Sequence, residues 1–160
     1  MRTSFRIVVG VDGSEGGRRA LRWAIGEAAA RGGTVQAVNA WRWDAEDRRA
    51  DRGAGAGPVD DQLEAETLLL REIESVPNRS GISVASEAVE GRPAEVLTAA
   101  ARDADLLVLG SHGHSRVWHT VLGSVTEECV RSANCPVVVL PVGRLGPRAP
   151  HELLVPAAQA

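Results

Sequence analysis

Lysine is absent from the sequence, and all 18 basic residues are arginine. The absence excludes enzymes that form a Schiff base through lysine, including pyridoxal phosphate enzymes, and phosphate loops of the lysine-dependent Walker A type. The arginines are scattered along a chain of net charge -3, and so form no stripe able to neutralise nucleic-acid phosphates. We therefore expect neither a lysine-based enzyme nor a nucleic-acid partner.

Long apolar runs are also lacking. The apolar run near the N-terminus is shorter than a signal peptide needs, and no stretch approaches the roughly 20 apolar residues of a membrane helix. Cysteine is scarce, since the chain has only Cys129 and Cys135. They are not in CxxC spacing, and two cysteines do not form a disulfide framework. These absences predict a cytoplasmic protein with free thiols and no membrane partner.

Short apolar runs alternate with helical patterns along the 160 residues, which suit one domain with its own core. We predict strands at 5–11, 34–41, 82–89, 105–110 and 136–141. These runs are too apolar to be half-exposed, which favours a parallel sheet with right-handed crossovers. The predicted fold class is α/β, a single open five-stranded parallel sheet of Rossmann-like form with helices on both faces.

Helix signals lie between these strands. Ser14 can cap a first helix that Gly32 and Gly33 end, and Pro58 and Pro93 each begin another. The last helix is predicted at about 125–132. The charged and glycine-rich segment 42–57 is interpreted as a mobile loop. We place the domain at 5–142 and a C-terminal tail at 143–160.

Two glycine-containing loops follow predicted strands. DGSEGG comes after the first strand and GSHG after the fourth, so both lie at carboxyl ends, where open α/β sheets bind ligands. If the first and fourth strands are neighbours, the two loops face one cleft. Gly110 and Gly113 permit positive φ and a close approach of backbone amides to an anion, and Gly123 permits that approach before a helix.

Ser124 is predicted at the N-cap of the last helix, and two interpretations remain open. Free amides and the helix dipole there favour a phosphate. The sequence SVTE is equally a capping box in which Ser124 pairs with Glu127, and this needs no ligand.

Three histidines in the long loop, His112, His114 and His119, raise the possibility of a metal site. No cysteine or carboxylate pair joins them at diagnostic spacing, so we assign no metal ligands. With Arg116, the histidines are instead expected to donate to phosphate oxygens or to face water.

Neither GxGxxG nor GxxxxGK[ST] occurs. The spacing Gly110, two residues, Gly113, nine residues, Gly123, Ser124 resembles that of the ATP-binding members of the universal stress protein family. IVVGVDGS near the start, GRPAEVL at 91–97 and CPVVVLP near the end resemble the same family, in the same order.

The resemblance implies an ATP site, with magnesium arriving on the nucleotide. Asp12 would meet the ribose or phosphates, although a turn-forming role before Gly13 remains open, and Ala40 would offer backbone groups to adenine. The implied nucleotide-binding residues are Gly10, Asp12, Ala40, Gly110, Ser111, His112, Gly113, His114, Ser115, Arg116, Gly123, Ser124, Val125 and Thr126.

Three functions remain open. The first is a stress-response regulator that binds ATP with little or no turnover. The second is an ATP-hydrolysing enzyme of the adenine-nucleotide α-hydrolase-like kind, which usually needs a catalytic lysine or an SGGxDS loop and a second-substrate domain. The third is a structural homodimer with an empty cleft. A homodimer is also expected with ATP bound, through 136–141, because a strand at the end of the chain tends to form a sheet edge.

Overall fold

The computed structural model describes residues 4–42, 57–113 and 122–141. The elements in these ranges are β1 (Arg6–Gly10), α1 (Glu15–Arg31), β2 (Thr34–Trp41), α2 (Pro58–Ser75), β3 (Val84–Glu90), α3 (Pro93–Ala100), β4 (Leu106–Gly110), α4 (Ser124–Ser132) and β5 (Val137–Leu140). The predicted mobile loop, apart from its end residues 42 and 57, and the predicted tail at 143–160 lie outside the described residues.

The five strands form one parallel sheet in the order β3-β2-β1-β4-β5. β1 is central, because Ile7 lies opposite Val35 of β2 on one side and Leu106 of β4 on the other. The prediction of an open five-stranded parallel sheet is therefore confirmed, as is the expected contact between the first and fourth strands. The strand order reverses between β1 and β4, so a crevice opens beyond their carboxyl ends.

Alternation along β1 divides the core into two layers. Ile7 and Val9 pack against α1 and α2, whereas Val8 faces the opposite layer with α3 and α4. All three side chains are fully buried. The expected helices on both faces are thus present, and no helix of the described chain has the length and apolar character needed to cross a membrane.

β3 and β5 depart from the prediction that every strand is too apolar to be half-exposed. All four residues of β5 are partly buried. The residues of β3 are exposed or partly buried, and the exposed Glu87 accepts a hydrogen bond from Nε2 of Gln36 in β2. The reason is the place of β3 at a sheet edge, where β2 is its only neighbour within the described sheet. The strand also begins at Val84, two residues after the predicted start at 82.

The first helix is delimited as predicted. The Ser14 hydroxyl oxygen accepts from the amide of Gly17 at 3.1 Å, and Gly32 ends the helix in the left-handed conformation with φ 62°. Its apolar stripe includes Leu21 and Ile25, both buried. These caps fix where α1 begins relative to the loop after β1.

Candidate functional site

A cavity of about 280 Å³ lies beyond the carboxyl ends of β1, β2 and β4. Its walls include these predicted site residues: Gly10, Asp12, Ala40, Gly110, His112, Gly113, Gly123, Ser124, Val125 and Thr126. Both glycine loops therefore face one cleft, as the sequence predicted. Of the predicted site residues that the structure describes, Ser111 alone is not in the lining, and its side chain is buried. His114, Ser115 and Arg116 lie outside the described residues, as do Trp118 and His119.

Ser111 has a structural role in the loop that follows β4. Its amide donates to the carbonyl oxygen of Leu140 at 2.8 Å, and its own carbonyl accepts from the amide of Gly123 at 2.7 Å. Its hydroxyl lies 3.2 Å from Nδ1 of His112. These contacts tie the loop to β5 and to the start of α4.

The glycines of this loop are required by packing and not by positive φ. Neither Gly110 nor Gly113 has a positive φ, so that part of the prediction is wrong. A Cβ on Gly110 would lie 2.7 Å from the carbonyl carbon of Gly16, and a Cβ on Gly113 would lie 2.4 Å from Oδ2 of Asp12. The two loops thus approach each other more closely than any side chain would allow.

Gly123 differs from its two partners in the motif. A Cβ there would meet its nearest atom, the carbonyl oxygen of Ser111, at 3.4 Å, which is an ordinary contact. Its φ is −68°, which any residue can adopt. The packing of the described protein therefore does not require glycine at this position.

The carboxylate of Asp12 stabilises the turn before α1, which is the turn-forming role that the sequence analysis left open. Oδ1 accepts from the Ser14 amide at 3.0 Å and also from the Ser14 hydroxyl, while Gly13 adopts φ 79°. Asp12 nevertheless lines the cleft, where it is the one acidic side chain that the described residues contribute. Turn formation and ligand contact are therefore compatible at this residue.

The start of α4 differs from the prediction by one residue. Gly123, not Ser124, is the N-cap, and no side chain of the described residues caps the helix. Glu127 does not complete a capping box, since its Oε1 accepts from Nη2 of Arg131 at 2.6 Å. The cause is the long-range bond from the Gly123 amide to Ser111, which holds Gly123 extended at the helix entry.

Thr126 anchors this uncapped helix start to the sheet. Its hydroxyl donates to the carbonyl oxygen of Gly110 at 2.8 Å, and the side chain is buried. The first-turn amides of an α-helix have no partner within the helix. The bond of Thr126 to Gly110 holds the first-turn amides of α4 beside the cleft.

Sequence reasoning missed the apolar wall of the cleft and one buried amide. Val38, Leu97 and Leu109 line it, together with Pro93 from the GRPAEVL stretch. The buried Asn39 donates from Nδ2 to the carbonyl oxygen of Val11 at 2.7 Å, joining the ends of β1 and β2. The apolar strand ends and the GRPAEVL motif could have indicated the wall from sequence. The hydrogen bond of Asn39 could not, because its partner lies 28 residues away.

The described lining supplies little charge. It contains no arginine, and His112 is its single potentially cationic side chain. Within the described ranges no three His, Cys, Asp or Glu residues are grouped as they would be around a metal ion. Its hydrogen-bonding capacity therefore comes mainly from backbone groups, Asp12 and hydroxyls.

Both cysteines are free thiols that lie outside the cleft lining. Burial raises the pKa of the Cys129 thiol to about 11, and the neighbouring Glu128 charge adds to the effect. Burial is also the main cause of a raised pKa at Cys135. Neither thiol has the lowered pKa of a catalytic nucleophile.

A family model described as the universal stress protein family matches residues 4–141. The chain belongs to this family. Universal stress protein Rv2005c of Mycobacterium tuberculosis is 33% identical over 134 residues, covering 83% of this chain and 44% of that protein. Rv2624c of the same organism is 29% identical over 136 residues, covering 84% of this chain and 47% of that protein. The chain thus spans about half the length of these relatives.

Solved universal stress proteins share the fold. One, crystallised in complex with cAMP, superposes with a TM-score of 0.65 at 26% identity, covering 85% of this chain and 96% of that chain. The five-stranded parallel sheet with helices on both faces is therefore that of the universal stress proteins.

Proposed function

We propose that this universal stress protein binds ATP in the cleft between its two glycine loops and turns it over slowly or not at all. The observation that carries the proposal is the uncapped N-terminus of α4, whose first residues line the cleft. The start of α1 also lies at the cleft, but there the side chain of Ser14 caps the helix. An uncapped helix N-terminus beside a cleft favours phosphate, because free amides and the helix dipole both attract an anion.

The rest of the cleft suits the remaining parts of a nucleotide. The apolar side chains Val38, Leu97 and Leu109 provide a surface for a base, and Ala40 lies at the end of β2 beside them. Asp12 provides an acceptor for ribose hydroxyls. The complex of a relative with cAMP supports adenine-nucleotide recognition by this fold.

Magnesium fits this site as a companion of the nucleotide. Magnesium commonly binds through one or two carboxylates and the substrate phosphates, and the described lining offers Asp12 alone. In this proposal the protein binds and orients the nucleotide, while the ion neutralises phosphate charge when bound.

The proposal of slow turnover is supported by the absence of lysine from the chain and by the side chains of the described lining. Phosphoryl transfer needs stabilisation of charge at the leaving phosphate and a residue that orients water. The described lining has no lysine or arginine, and Oδ1 of Asp12 already binds Ser14. Binding without turnover suits a sensor whose two states differ in ATP affinity.

We further propose that two copies pair through β5. This strand pairs with β4 on one side, and no other strand of the described sheet covers its second edge. Pro136 and Pro141 bound it. An uncovered edge with unpaired backbone groups is able to pair with an identical edge.

Calorimetry with ATP and magnesium tests the binding proposal, with an expected dissociation constant in the micromolar range, about −8 kcal/mol. Gly113→Val should abolish binding, but it also displaces Asp12. Gly123→Ala is the sharper variant, because the protein has room for its Cβ. We expect it to fold like the wild type and bind ATP about tenfold more weakly. Equal affinities in wild type and both variants would contradict the proposal that the glycine loop after β4 binds the nucleotide.

Single-turnover hydrolysis of radiolabelled ATP, with protein in excess, tests the proposed low turnover. We expect a rate far below about 1 per second, the lower end of ordinary enzymes. A faster rate that Ser124→Ala abolishes would favour the hydrolysing enzyme. Mass spectrometry of whatever the purified protein releases on denaturation separates an ATP-binding protein from an empty-cleft homodimer.

A further inference from the structure

A buried carboxylate connects two helices on one face of the sheet. Glu72 of α2 is 2% exposed, and its Oε2 accepts from Nε of Arg18 in α1 at 2.6 Å. Arg71 is more distant, with Nη2 at 3.6 Å from Oε1 of Glu72. A charge removed from water must be paired and hydrogen-bonded. Arg18 is therefore the main partner of Glu72.

The same guanidinium reaches the turn after β1. Nη2 of Arg18 donates to the carbonyl oxygen of Gly13 at 3.0 Å. A guanidinium is planar and rigid, so a bond at Nε fixes where Nη2 lies. Glu72 consequently determines the position from which Arg18 binds the Gly13 carbonyl.

Gly13 lies within the turn that places two cleft residues. Asp12 precedes it and Ser14 follows it, and both line the cavity. The turn depends on the bond from the Ser14 amide to Oδ1 of Asp12, and Gly13 has the positive φ that this geometry needs. A shift of the Gly13 carbonyl would therefore move the Asp12 carboxylate relative to the cleft.

We propose that Arg18 is a positioning residue for the nucleotide site, holding the Asp12–Ser14 turn in place from the buried Glu72 of α2. The inference rests on the proposed nucleotide binding. Arg18 is not among the residues that line the cavity, so its role is indirect. Through Glu72 it makes α2 part of the support of the site.

Arg18→Lys separates positioning from a simple ion pair. A lysine ammonium can pair with Glu72, but it lacks the fork that binds Glu72 and Gly13 in fixed relation. We expect the denaturation midpoint to stay near that of the wild type, while ATP affinity falls about tenfold. Hydrogen exchange at the Ser14 amide should become faster without nucleotide. Arg22→Lys, at an exposed position one turn further along α1, is the matched control and should change none of these readouts.

A double variant covers the case in which Arg18→Lys folds poorly. Glu72 is buried while Arg18 is half-exposed, and replacing an ion pair that contains a buried charge by apolar residues is often neutral for stability. Arg18→Met combined with Glu72→Leu should therefore keep the fold while Gly13 loses its donor. We expect the same loss of ATP affinity and the same faster exchange.

The outcomes are distinguishable. Wild-type affinity and wild-type Ser14 exchange in both variants would overturn the positioning role and leave the proposed function intact. If the wild type binds no adenine nucleotide, the proposed function fails and the nucleotide-positioning role fails with it. Ser14 exchange then shows only whether Arg18 fixes the turn.

Discussion

Gly16 and His112 are in direct backbone contact, since a Cβ on Gly16 would lie 2.4 Å from the carbonyl oxygen of His112. Gly16 belongs to the first turn of α1, and His112 belongs to the loop after β4. The contact sets the separation of the two loops that form the cleft. The glycines on both sides of the cleft thus act on its shape even without a ligand.

Two glycines of α1 are predicted to respond oppositely to alanine. Gly16→Ala should lower the free energy of unfolding by about 1–3 kcal/mol, because the added Cβ overpacks against backbone. Gly26→Ala should raise it by about 0.5–1 kcal/mol, because nothing lies within 4 Å of that Cβ and alanine favours the helix. Urea denaturation of both variants measures the difference. A stable Gly16→Ala protein would contradict the close contact.

Asp12→Asn should keep the turn and weaken nucleotide binding. Asparagine can accept from the amide two residues on, as aspartate does, so stability should change by less than about 0.5 kcal/mol. One carboxylate oxygen becomes a donor, and affinity for both ATP and adenosine should fall about tenfold if Asp12 binds the ribose. Calorimetry with both ligands checks this, with Glu74→Gln as a surface control. Weaker binding of ATP alone would place Asp12 at the phosphates.

Val139→Pro should convert the proposed dimer into a monomer. The carbonyls of Pro136 and Leu140 accept from Leu107 and Ser111 of the β4 side, so alternation in a parallel ladder points the Val139 amide away from β4. Proline removes that outward donor while sparing the ladder. Substituting Val138 would be less informative, because its side chain packs against the core. Light scattering measures the mass, and a dimer retained in Val139→Pro would exclude pairing through β5.

Cys129 should make stability fall at alkaline pH. Its pKa is raised by burial to about 11 in the folded protein, against about 8.5 for an exposed thiol. The folded state therefore favours the protonated thiol. This contribution is complete below about pH 8.5 and is lost as pH rises to about 11. Denaturation from pH 8 to 11 should show a steeper decline in wild type than in Cys129→Ala. Equal slopes would contradict the burial effect.

Local patterns predicted the elements whose signals are local. β2 occupies 34–41 as predicted, and α1 has the predicted caps at Ser14 and Gly32. The sequence predicted one shared cleft on the condition that the first and fourth strands are neighbours. A doubly wound sheet meets this condition, because the chain returns to the first strand and continues on its other side.

Long-range contacts explain what the sequence did not reveal. The exposure of β3 depends on its edge position, which no window of its own residues records. The N-cap of α4 moved from Ser124 to Gly123 because Ser111, twelve residues earlier than Gly123, binds the Gly123 amide. The glycines were correctly placed around the cleft, but a contact between two loops, and not positive φ, explains Gly110 and Gly113.

The two edges of the sheet are chemically unlike. β3 ends the sheet with a strand that carries Glu87 and Glu90 and is largely exposed, whereas β5 ends it with the short apolar run VVVL between two prolines. Charged side chains oppose the addition of another strand to an edge. In the proposed dimer, pairing through β5 would cover the apolar edge of each copy and leave the acidic β3 edges of the described sheet outside. Assembly would then stop at two subunits, whereas a sheet with two apolar edges could extend into a fibre.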